Sequence, residues 1–248
     1  MAEVGGWMSL LSRGGALNLP RSTFNAESSR MKITVTQYLD VVSSWCFWAH
    51  PAWEELQTRY RDRVAFQWKI ALMDAAGMPT SRAQMDWFYR RSGMMMRSPF
   101  QLKSSWHEVG QTEYLAPNAV AEAAREMGLE DDRVRLALAR AGLLDGRTTG
   151  RWEVAAEVGA KASGFPLEKL LERARSAEIE ERIRTSTAEF HALQVSQRPT
   201  FVIDSEIGDR AVFSGFAKAA PMAAALDAML DDAVAYAAYG AHFGSPPE

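Results

Sequence analysis

The chain has 248 residues, 47% of them apolar, and a formal charge of -3 at pH 7. That is enough for one large domain, or a small one with a big insertion, and lysine and arginine are interspersed with aspartate and glutamate, which argues against nucleic acid or an anionic membrane and for a small-molecule or protein partner. One cysteine excludes an internal disulfide and a cysteine-built zinc site, and it fits a reducing, cytoplasmic compartment.

Residues 1–31 mix Gly, Ser and Arg with apolar patches too short for a signal-peptide core or a membrane span, so they read as a poorly ordered extension. Met31 is a candidate natural start, because strand-like patterning begins right after it. A weak organelle-type presequence is the alternative, and Glu3 and Glu27 count against it.

From Lys32 the stretch "KITVTQYLD" alternates and is rich in β-branched and aromatic residues, which predicts a strand. "DVVSSWCFWAHPAW" follows, a turn running into a helix whose Ala49, Ala52, Trp53, Leu56 and Tyr60 recur at helical spacing. "VAFQWKIAL" reads as a second strand and completes a βαβ unit. Segments around Met85–Arg91, Pro117–Met127, Asp131–Ala141, Arg151–Ala162 and Leu167–Leu193 then read as helical, broken at glycines and at the Gly164 to Pro166 turn. Finally "PTFVID" and "RAVFSG" are short strands joined through Gly208. A last helix starting near Pro221 carries Met222, Leu226, Met229 and Ala233 on one face. The organisation expected is a sheet domain in two halves, residues 32–75 and 195–240, with a helical insertion at 76–194 and a tail at 241–248.

This α/β order resembles a thioredoxin fold with a large all-helical insertion, as in the DsbA-like family that groups FrnE-like oxidoreductases with 2-hydroxychromene-2-carboxylate isomerases and kappa-class glutathione transferases. The likeness spans Lys32 to Tyr239. "SSWCFW" resembles the "CSWCW" or "CPWCY" turn of the oxidoreductases. Pro51 falls where thioredoxin-like first helices carry a kinking proline, and "RPTFVI" resembles the "VPTFV" that bears the family's cis-proline. A proline inside a helix removes one hydrogen bond and clashes with the carbonyl four residues back, so Pro51 predicts a bend.

Ser43 stands where the oxidoreductases carry their nucleophilic cysteine, and an alcohol cannot exchange disulfides. The resemblance to the isomerase and transferase branch implies instead that Ser43 hydrogen-bonds the thiolate of a bound low-molecular-weight thiol; a plain helix N-cap is the competing reading. Arg198, Pro199 and Ser214 are the residues it implies around that thiol. Two departures stand out: "FSGFAKAAP" has Ser214 without the aspartate of the kappa pattern, and Gln197-Arg198 replaces Gly-Val and adds a cation. The thiol is therefore left as glutathione or another low-molecular-weight thiol.

Cys46 is either a buried small hydrophobe or a reactive thiol, and His50, on the same helix face, is placed to stabilise a thiolate there. Trp45 and His50, with Trp87 and Met95 from the insertion stretch "MDWFYRRSGMMMRSPF", are assigned to a substrate pocket; packing between helices is the bland alternative. The remaining histidines do not fall at metal-ligand spacing. The function expected is a thiol-dependent isomerase or transferase acting on a small aromatic substrate. Two alternatives stay open: an oxidoreductase relative whose Ser43-x-x-Cys46 turn is limited to mixed-disulfide or binding chemistry, and a non-catalytic domain using the peptide groove. Dimerisation is common in the family, so a homodimer is a possible assembly, and no stretch of the sequence identifies an interface.

Overall fold

The computed structural model describes residues 32–215 and 218–244. The readings of residues 1–31 and of the end of the tail lie outside them.

β1, Ile33–Leu39, is buried along nearly its whole length, and it takes the centre of a four-stranded sheet of order β2-β1-β3-β4. It pairs in parallel with β2, Val64–Ile70, and antiparallel with β3, Thr200–Ser205, which in turn pairs antiparallel with β4, Arg210–Ser214. The parallel pair needs a crossover, supplied by α1, Ser44–Trp48, and α2, His50–Arg59. The two helices part at Ala49. Pro51 sits in the first turn of α2 and has no N–H to give to the carbonyl of Phe47, so the expected bend is a break between two helices.

Six helices separate β2 from β3: α3 (Arg82–Met95), α4 (Leu115–Glu126), α5 (Arg133–Leu143), α6 (Trp152–Ser163), α7 (Leu167–Ala174) and α8 (Ala177–Ala192). The reading of Leu167–Leu193 as one helical segment is corrected. Ser176 adopts an extended conformation and its hydroxyl accepts from the Ile179 amide at 3.4 Å, which starts α8 as a new helix. The last helix, α9, runs Ala219–Phe243, so it starts before Pro221 and includes residues 241–243 of the expected tail. Among the described residues no helix is long and apolar enough to cross a membrane.

Alternation along β1 decides which core each side chain joins. Ile33 and Val35 meet Trp53 and Leu56 of α2, Phe201 and Ile203 of β3, and Met222 and Leu226 of α9. Tyr38 points to the other face, where Val202 and Phe190 of α8 cover it. The insertion has its own core, and that core continues into the end of β1 and the turn after it through Leu39, Val41, Val42, Cys46 and Trp48. Each fully buried large side chain is worth about 1.5–3 kcal/mol of transfer from water. The turn is thereby anchored in the same apolar mass as the insertion.

Candidate functional site

The turn between β1 and α1 is organised by Asp40, which is 1% exposed. Its main-chain carbonyl accepts from the Ser43 amide at 3.1 Å. Its Oδ1 accepts from the Val42 amide at 3.0 Å and from Asn118 Nδ2 at 3.1 Å, and its Oδ2 accepts from the Met73 amide at 2.9 Å. Asn118, buried on α4, returns its Oδ1 to the Val41 amide at 2.9 Å. One carboxylate and one carboxamide thus tie the turn to the exit of β2 and to the insertion. Burial pushes the Asp40 carboxyl above its ordinary range, and the Met73, Val42 and Asn118 hydrogen bonds and the Arg198 cation oppose that rise.

Ser43 is the N-cap of α1, its Oγ accepting from the Cys46 amide at a long 3.4 Å. A hydroxyl that accepts one hydrogen bond has one proton of its own to donate, either to the neighbouring Cys46 sulfur or to a ligand. The first-turn amides of Ser44 and Trp45 have no partner within the helix. α1 has only 5 residues, so these local donors matter more than any macrodipole.

Cys46 is 4% exposed and belongs to the insertion core. Burial pushes its thiol up to about 11, and the Ser43 hydrogen bond and the nearby Arg198 cation offset only part of that. At neutral pH the group is a protonated thiol inside a packed core.

Beside the turn lies a cavity of about 400 Å³. Ser43 and Trp45 line it from the turn, Met73 and Asp74 from the exit of β2, Phe88, Tyr89 and Arg91 from α3, and Gln197 and Arg198 from the approach to β3. Tyr89 is fixed by a hydrogen bond from Trp106 Nε1 at 2.8 Å.

Of the nine residues expected here, Ser43, Trp45 and Arg198 line the cavity, and Cys46, His50, Trp87, Met95, Pro199 and Ser214 do not. Trp87 is 52% exposed and Met95 65% exposed; the inward face of α3 is Met85, Tyr89 and Ser92, so Trp87 falls on the outer side and Met95 at the helix end. His50 turns to Glu54 at 3.2 Å and lies beside Arg135 and Asp132, and burial followed by the Arg135 charge lowers its pKa; its ion-pair partner is Glu54 rather than Cys46. Ser214 is engaged within the sheet by Thr200 Oγ1 at 3.2 Å and does not reach the cavity.

Arg198 also differs from expectation. Its Nε donates to the Ala71 carbonyl at 2.7 Å, its Nη2 donates to that of Leu72, and the guanidinium lies 4.2 Å from the centre of the Phe190 ring. The cation braces the end of β2 rather than standing free. The Arg198–Pro199 peptide bond is cis, and Pro199 is buried next to the cavity wall.

Behind the cavity His107 is 1% exposed, with Nε2 3.1 Å from the Pro79 carbonyl and Nδ1 2.9 Å from the Tyr114 hydroxyl. A carbonyl only accepts, so Nε2 carries the proton and the Tyr114 hydroxyl donates to Nδ1. Burial lowers the pKa of His107 from its ordinary 6.5. As pH falls below that value the unfolded chain binds the proton first, so stability is expected to decline. Urea unfolding at pH 7.5 and 5.5 should show that decline in the wild type and a shallower one in His107→Gln. His50 contributes with the same sign and keeps part of the slope.

Asp40 and Asn118 have faint signals in the sequence: an acid directly after an apolar strand, and a lone asparagine inside the apolar run "LAPNAVAEAA". Among the described residues no group of three or more His, Cys, Asp or Glu side chains could hold a metal ion.

Compared with known families, residues 34–232 match the one described as DSBA-like thioredoxin domain. Compared with curated proteins, the sequence matches none. Among solved structures, a candidate protein disulfide isomerase from Nitrosomonas europaea is similar at 16% identity and a TM-score of 0.66, over 81% of this chain and 98% of that one. The cytosolic disulfide reductase DsbM from Pseudomonas aeruginosa is similar at 17% identity and a TM-score of 0.64, over 80% and 98%. The same reductase with GSH gives 16% and 0.62, over 80% and 99%. At these identities the likenesses establish the fold.

Proposed function

The chain belongs to the DSBA-like thioredoxin family, and from that premise we propose that it binds a low-molecular-weight thiol, glutathione or a relative of it, with the sulfur against Ser43. The thiolate then acts as nucleophile on a small aromatic substrate in the cavity. The observation that carries this reading is a pairing: Ser43, though only 6% exposed, lines the cavity, while the one cysteine of the chain does not and has its thiol pushed up to about 11 by burial. A nucleophilic sulfur has to be brought in.

The Ser43 hydroxyl and the amides of Ser44 and Trp45 favour a bound thiolate over a thiol, because hydrogen bonds to the charged form lower a pKa. The buried Arg198 guanidinium, which lines the same cavity, adds to this. In the chemistry proposed, the sulfur adds to an electrophilic carbon of the substrate and the displaced electron pair moves into the conjugated system. If the C–S bond breaks again after rotation, the thiolate is regenerated and the outcome is isomerisation. If the bond stays and a proton or leaving group balances the charge, the outcome is transfer. Nothing is oxidised in either case. The reading requires a compartment where thiols stay reduced, such as the cytoplasm. DsbM from Pseudomonas aeruginosa, solved with GSH on the same fold, supports it.

The likeness to a disulfide reductase favours the competing reading, a redox turn reduced to mixed-disulfide or binding chemistry. The burial of Cys46 opposes it. Calorimetric titration with glutathione and mycothiol tests the proposal: saturable binding is expected, and failure of every thiol to bind would overturn it. Insulin reduction gained by Ser43→Cys would favour the redox lineage.

A further inference from the structure

Three of the residues lining the cavity carry formal charge: Asp74, Arg91 and Arg198. Arg198 is held by two main-chain carbonyls and the Phe190 ring, and Asp74 lies 3.8 Å from Arg198 and 3.4 Å from His191. Arg91 has no carboxylate partner among the described residues. Its guanidinium is stacked instead on its own helix, 5.1 Å from the centre of the Trp87 ring and 5.2 Å from that of Phe88.

Arg91 is exposed, and these ring contacts bias its direction without neutralising it. An aromatic face attracts the cation through its quadrupole and leaves the in-plane N–H donors of the guanidinium free. The donors form a planar fork that matches a carboxylate in bidentate fashion. Trp87, one helical turn before Arg91, therefore has a place in the site as the platform of this cation, outside the pocket wall. The rest of the α3 wall is apolar or aromatic, through Met85, Phe88 and Tyr89. A cavity of about 400 Å³ with one unpaired cation beside the apolar side chains of α3, and serines and a glutamine elsewhere in its wall, suits a ligand with an apolar part and one anionic end.

We infer that Arg91 is the anchor for a carboxylate of the ligand that fills this cavity, the role that Arg198 is too committed to play. The carboxylate has two possible sources, the bound thiol or the second substrate. The first rests on the thiol-binding reading above, and the second does not.

The experiment uses two ligand pairs on the full chain at pH 7.5, followed by calorimetry. One pair is glutathione and its glycine ethyl ester; the other, free of sulfur, is 3-phenylpropionate and 3-phenylpropionamide. In the wild type the acid of at least one pair is expected to bind ten-fold or more tighter than its neutral counterpart. That preference should fall to near parity in Arg91→Gln and survive in Arg90→Gln, a neighbouring exposed arginine that does not line the cavity. The pair that responds identifies the source of the carboxylate. Parity or absent binding in both pairs of the wild type, or a preference that persists in Arg91→Gln, would overturn the inference. Circular dichroism of the variants checks their fold. Because the phenylpropionate pair contains no sulfur, a failure of thiol binding leaves that arm readable.

Discussion

Asp40→Ala is expected to destabilise the protein by about 3 kcal/mol, the loss of roughly three buried hydrogen-bond partners at about 1–3 kcal/mol each, reduced by relief of the buried charge. The amides of Val42 and Met73 and the carboxamide of Asn118 all donate to this one carboxylate. Removing it leaves three donors without that partner, those of Val42 and Asn118 in the interior and that of Met73 beside the cavity. Asn118→Ala strips the Val41 amide and one donor to Asp40, so a loss of about 2 kcal/mol is expected, and the two substitutions should be less than additive because they share a hydrogen bond. Urea unfolding of the two single variants and the double variant measures this; a loss below about 1 kcal/mol for Asp40→Ala would contradict the assignment. Asp40 is not a source of acid lability. Its folded carboxyl lies above the ordinary 3.8, so the folded state takes up that proton first as pH falls, and its contribution to stability rises on acidification, opposite in sign to that of His107.

Ser43→Ala carries the second large effect, on binding. A hydrogen bond from a hydroxyl to a thiolate is charge-assisted and worth about 1.5–3 kcal/mol, which is roughly a 10- to 150-fold loss of thiol affinity. The same substitution removes the N-cap of α1, at a cost of about 0.5–2 kcal/mol in stability. The two effects separate by measurement. Thiol affinity at a temperature where the variant is fully folded reports the site, and urea unfolding reports the cap. Weakened stability with unchanged thiol affinity would reduce Ser43 to a cap.

The elements most legible in the sequence were those whose signal is local. The alternation of "KITVTQYLD" gave β1, and Pro51 marked the place where the crossover breaks into α1 and α2, because a missing N–H acts within one helical turn. Ser43 and Trp45 were legible as cavity residues because they lie on the turn itself. Trp87 and Met95 lie outside the cavity wall for a reason of phase: composition marks α3 as rich in aromatics and methionines, but the 3.6-residue period and the position of the neighbouring helices decide which of them face inward. Arg198 shows a different limit. Its cation is visible in the sequence, but the carbonyls of Ala71 and Leu72 that occupy it lie more than a hundred residues away in the chain. The partnership of Asp40 with Asn118 is equally non-local, joining the turn to a helix of the insertion.

The most direct measurement of the central claim is the pKa of glutathione bound to the protein, followed by carbon NMR with the cysteine Cβ labelled. A value at least one unit below the roughly 8.5 of a free cysteine thiol is predicted in the wild type, with most of the shift lost in Ser43→Ala. A bound thiol that titrates at its free value in both proteins would contradict thiol activation at this turn.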